Sequence, residues 1–106
     1  MATKDEMMEK YKEQLGDLGV AVDEALLDWV VDAVGPANYQ DDARTVACSD
    51  KSELESVYSG FVADELKETD HEQGMDAIES VCEEMNGINQ KYRAVFYYLL
   101  AKHYGK

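Results

Sequence analysis

The chain has little of what usually announces a chemistry. One proline and no useful stretch of apolar–polar alternation leave helix as the only well-supported period, so sheet architectures are set aside. The two histidines, His71 and His103, are far apart, and neither HExxH nor a cysteine cluster occurs, which removes the familiar zinc spacings. DHEQGMDAIESV, read from Asp70, imitates a calcium loop poorly. Its glycine falls one position early, and Val81 stands where a bidentate glutamate is needed. No Gly-rich phosphate loop or strained nucleophile turn is present. Cys48 and Cys82 lie outside any CxxC or Cys/His spacing; they read as reduced structural thiols, with a single disulfide as the alternative. No metal and no cofactor are therefore expected.

Long apolar runs are missing too. The longest, residues 94–101, makes about 12 Å of helix, whereas a bilayer core needs roughly 20 residues. No membrane span is expected. The start, MATKDEMMEKYKEQ, is charged from its fourth residue and lacks the apolar core of a signal peptide, so a cytoplasmic location is expected.

What the chain has is acid. There are 23 Asp and Glu against 10 Lys and Arg in 106 residues, a net charge of −13. All the acids precede residue 89, and four of the bases follow it. Such a shell argues against nucleic acid and anionic membranes as partners. Apolar content of 45% supports a packed core rather than disorder, and the length suits a single domain, 1–106.

The helical periods follow in order. Met7, Tyr11, Leu15 and Leu18 share a face. Asp23 caps a second helix with Leu26, Leu27, Val30, Val31 and Val34 inward and Trp29 at the edge, stopped by Gly35-Pro36. Residues 36–49 are aperiodic, with DDARTVA a candidate helical turn. Asp50 and Glu53 form a capping box for a third helix reaching about Lys67. Its strip of small residues, Ser56, Ser59, Gly60 and Ala63, predicts a close helix crossing. Asp70 caps a fourth helix burying Met75, Ile78, Val81, Cys82 and Met85. Asn89 caps a fifth, running to about His103.

That last helix is apolar all round over residues 94–101, which places it in the middle of the fold. Lys91 and Arg93 sit in its first turn, where the macrodipole disfavours cations by about 0.3–1 kcal/mol. Acids from the surrounding helices are expected to compensate. The fold class is all-α: a compact domain of about five helices around a buried C-terminal helix.

GPANYQDDARTVACSD and KYRAVFYYLLAK, with MMEKYKEQLG at the start, resemble a family of small bacterial proteins catalogued only as a domain of unknown function. That family often carries proline where this chain has Lys51, a small departure because proline suits a first helical position without being required there. The resemblance implies a small helical fold in a bacterial cytoplasm and implies no activity.

Two acidic stripes are the first candidate site. Glu24, Asp28 and Asp32 lie on one helix face, and Glu72, Asp76, Glu79 and Glu83 on another. Like charges at this spacing cost roughly 0.2–0.5 kcal/mol per pair, and a basic protein partner would relieve them. The bland alternative is a solvated, salt-tolerant face. The second candidate is the 36–49 loop, where Asn38, Tyr39, Asp41, Asp42, Arg44, Thr45 and Cys48 make a dense polar group. The leading expectation is a protein-interaction or regulatory module, not an enzyme. The alternative is a small-ligand or weak divalent-metal-binding domain centred on that loop. Oligomeric state is open.

Overall fold

Residues 94–101 are buried along their whole length in the computed structural model, which describes residues 3–40 and 43–106. Among the described residues five α-helices are present: α1 (Lys4–Asp17), α2 (Glu24–Val34), α3 (Lys51–Val57), α4 (His71–Glu84) and α5 (Arg93–His103). The helix α5 packs on α1, α2 and α4, as its all-round apolarity predicts. Its tyrosines find polar partners: the Tyr98 hydroxyl accepts from the Asp23 N–H at 2.8 Å and donates to the Ala21 carbonyl at 2.9 Å, tying α5 to the start of α2. No helix among the described residues is long and apolar enough to cross a membrane.

Three of the expected caps form. The carboxylates of Asp23, Asp50 and Asp70 accept from the first free N–H groups of α2, α3 and α4. Met7, Tyr11 and Leu15 are the buried face of α1, and Leu27, Val30 and Val31 that of α2. Trp29 sits at the core's edge, its ring centroid 6.0 Å from that of Phe61.

Other local expectations are corrected. The third helix is α-helical only to Val57 and continues as a π-helical turn, Tyr58–Val62, ending before Lys67, which takes a positive φ of 63°. The Asp50 box is one-sided, because Glu53 turns to Arg93 and the Asp50 N–H donates to the Ala47 carbonyl. On α4, Met75 and Cys82 are only half-buried. The fifth helix begins at Arg93, four residues after Asn89, because residues 91–92 are extended. Thr45 pairs with Tyr92 there, and the Val46 N–H donates to the Lys91 carbonyl at 2.8 Å. Asp41 and Asp42 of the candidate turn DDARTVA lie outside the described residues; the Ala43 and Arg44 N–H groups both donate to the Gln40 carbonyl, Thr45 enters the bridge, and Gly35–Tyr39 is a short 3-10 helix.

The small-residue strip does not make the close crossing. Gly60 is exposed, and a Cβ built on it meets nothing within 4 Å. The close approach is at buried Gly74, where a Cβ would lie 2.6 Å from Tyr58 Cδ1 and closer still to Cε1. Tyr58 is itself packed edge-on against His71. Gly74→Ala is therefore expected to destabilise by about 1–3 kcal/mol through overpacking, despite alanine's better helix propensity. Gly60→Ala should be neutral or stabilising by up to about 1 kcal/mol. Urea denaturation of the two variants checks the opposite signs.

Candidate functional site

The two acidic stripes, alike in sequence, differ in their surroundings. Lys4 of α1 reaches Asp28 at 2.7 Å and Asp32 at 3.0 Å, and Lys12 pairs with Glu24. Those bonds to Asp28 and Asp32 raise the Lys4 ammonium above its ordinary range, and the bond to Glu24 does the same for Lys12. The first stripe is thus the seam along which α1 meets α2.

The second stripe, exposed along α4, has no such cover. Among the described residues no Lys or Arg comes within salt-bridge distance of Glu72, Asp76, Glu79 or Glu83. Three of the four line a cleft of about 730 Å³ between α4, the start of α3 and the segment that leads into it; Glu72 lies outside it. Glu55 adds a fourth carboxylate to the cleft and is held 2.9 Å from His71. Lys51 is the cleft's one basic lining residue. Buried Leu54 and half-buried Met75, Cys48 and Cys82 give it an apolar base beneath the exposed acids.

The cysteines are not free thiols. Cys48 and Cys82 are joined by a disulfide with their Cα atoms 6.0 Å apart, which corrects the reading of both as reduced. The bond links the 36–49 loop to α4 within the lining of the cleft.

The loop residues themselves are divided. Asn38 is buried and structural: its amide donates to the carbonyls of Val31 at 2.8 Å and Gly35 at 2.7 Å, and its oxygen accepts from the Tyr11 hydroxyl at 2.7 Å. Burial holds that phenol well above the ordinary tyrosine range. Tyr39 is exposed, whereas Val46 is buried and anchors the loop. Arg44 is half-buried, and its carbonyl accepts from the Arg93 N–H at 2.7 Å. Asp41 and Asp42 lie outside the described residues. Among the described residues of the loop set, Cys48 alone lines the cleft. Among the described residues, no three His, Cys, Asp or Glu are grouped to hold a metal ion.

Arg93 was the residue whose role the sequence only hinted at. Its Nε donates to the Ala43 carbonyl at 2.7 Å, and its terminal nitrogens reach the Tyr97 hydroxyl, the Thr45 carbonyl and the Glu53 carboxylate. Burial works against its charge, but the bonds to Tyr97 and Glu53 outweigh that and raise the guanidinium further. The compensation expected for a cation at a helix N-terminus is thus supplied by α3 and the loop. Lys91 instead donates to the Ile88 carbonyl at 2.8 Å. Lys51, Met75 and Glu55 joined the cleft without any sequence signal, since only the packing of α3 on α4 brings them together.

Residues 7–106 match a family described as a protein of unknown function (DUF2853), and the chain belongs to that family. No curated protein matches the chain.

Proposed function

We propose that this DUF2853 member is a protein-interaction module that docks a basic segment of a partner in the cleft between α3 and α4. The observation that carries the reading is the contrast between the stripes. One is paired with lysines from within the chain, and the other, among the described residues, has no Lys or Arg partner beside a concave, apolar-based cleft. An apolar base under a charged rim suits a segment that alternates Lys or Arg with Leu or Met, because each part of such a side-chain set finds its complement. The reading needs no cofactor and no catalytic residue.

The test is fluorescence anisotropy with a labelled, cysteine-free peptide of that composition and a matched acidic control, at low and moderate salt. The basic peptide should bind and the acidic one should not. Asp76→Asn, Glu79→Gln and Glu83→Gln together should weaken binding about tenfold, at roughly 0.5 kcal/mol per rim charge. Asp28→Asn with Asp32→Asn should leave binding unchanged. Equal affinity in the wild type and the triple variant would remove the cleft as the docking surface.

A further inference from the structure

The span that carries Cys48 is anchored at both ends by bonds other than its disulfide. Upstream, Val46 is buried and bonded to the Lys91 carbonyl, and the Arg44 carbonyl accepts from Arg93. Downstream, Asp50 caps α3. Between these anchors, Ala47 and Ser49 are exposed and Cys48 is half-buried. On the other side, α4 is held by the buried Ala77, Ile78 and Val81. Opening the disulfide therefore releases only the short turn at residues 47–50 from α4, with its own bond from the Asp50 N–H to the Ala47 carbonyl kept, and leaves the core in place. Both cysteines are half-buried and line the cleft, in company with Asp76, Glu79 and Glu83. Those carboxylates repel an anionic thiolate and attract a thiol carried beside a positive charge.

We propose that Cys48–Cys82 is a thiol–disulfide exchange site selective for thiols on cationic partners, an inference that rests on the acidic cleft as the docking surface for basic segments. The incoming thiolate attacks Cys82 Sγ, between Glu79 and Glu83 on α4. A sulfur–sulfur bond forms to Cys82, the Cys48–Cys82 bond breaks, and its electron pair leaves on Cys48, which takes a proton from water. Cys48 is the leaving sulfur because the 47–49 span can withdraw and α4 cannot. A second thiolate, from the partner's second cysteine or another thiol molecule, attacks the partner sulfur of the mixed disulfide and releases Cys82. Two partner thiols become one disulfide, and the cystine, gaining two electrons, becomes two cysteines.

The experiment takes the oxidised full chain and three small probes: cysteamine, 2-mercaptoethanol and 2-mercaptoethanesulfonate. Rates of opening are followed by alkylation and mass spectrometry and compared per thiolate. At low salt cysteamine should react at least about tenfold faster than the sulfonate, with the neutral thiol between them. High salt should shrink the spread to about twofold. The triple variant Asp76→Asn, Glu79→Gln and Glu83→Gln should do the same at low salt. The first adduct should map to Cys82, and circular dichroism should keep its helical signal after reduction. Equal rates for the three probes, no reaction without denaturant, an adduct on Cys48, or loss of helix on reduction would each overturn the proposal. A cysteine-free basic peptide that binds while the disulfide stays inert would leave the docking surface standing alone. Selective exchange without peptide binding would do the reverse.

Discussion

Asn38→Ala is expected to destabilise the fold by about 3 kcal/mol. The side chain is 1% exposed and makes three hydrogen bonds that no neighbour can replace in kind. The Val31 carbonyl keeps a second donor, the Gly35 N–H, so its loss is small. The buried Tyr11 hydroxyl loses its acceptor, at roughly 1–3 kcal/mol for a polar group left buried and unsatisfied, and the half-buried Gly35 carbonyl loses its side-chain donor at a smaller cost. The denaturant midpoint should fall with the m-value unchanged. Two companions identify the cause. Tyr11→Phe added to Asn38→Ala should recover part of the loss, because removing both partners costs less than stranding one. Asn38→Asp should be worse than Asn38→Ala. It keeps an acceptor for Tyr11 but sets a carboxylate against two carbonyl oxygens. A cost below about 1 kcal/mol for Asn38→Ala would mean that water enters and replaces the amide.

Asn38 also marks where sequence reading reaches its limit. Local signals were sound wherever one segment decides its own structure. The Asp caps of α2, α3 and α4, the buried face of α1 and the central place of residues 94–101 all follow from spacing and composition. The 36–49 loop reads in sequence as a dense polar group, but what its members do is set by partners in remote segments. Asn38 answers Tyr11, Thr45 answers Tyr92, and Cys48 answers Cys82. The same limit explains the stripes. Nothing in either spacing shows that lysines of α1 reach the first stripe and none reach the second. It also explains the two glycines. The small-residue strip points to Gly60, yet the residue that needs to lack a Cβ is Gly74, under the ring of Tyr58.

Arg93→Ala should cost about 3 kcal/mol, and more when the disulfide is open than when it is closed. The side chain is 13% exposed and its Glu53 partner 26%, so the pair is largely shielded from water. Removing one member of a shielded pair is costly because the other keeps its desolvation penalty, about 3–5 kcal/mol in buried cases. Glu53 retains some solvent, which places the estimate at the low end. Arg93→Lys should recover little. The planar fork serves the Ala43 carbonyl, the Thr45 carbonyl and Glu53 together, and one ammonium cannot span all three. The dependence on redox state follows from what Arg93 holds. Its bonds fix residues 43–45, just upstream of the span that the disulfide fixes at residue 48. With the disulfide closed, loss of Arg93 leaves the loop tethered at Cys82. With it open, the same loss leaves residues 43–48 held by buried Val46 and the backbone bonds to residues 91–93 alone among the contacts described for them. The two anchors should therefore couple, with a double-mutant cycle of Arg93→Ala and Cys48→Ser giving an interaction energy of about 1 kcal/mol. Denaturation of the four proteins of that cycle measures it. Strict additivity would mean that the guanidinium and the disulfide hold independent parts of the chain, and that the freed 47–49 span does not communicate with α5.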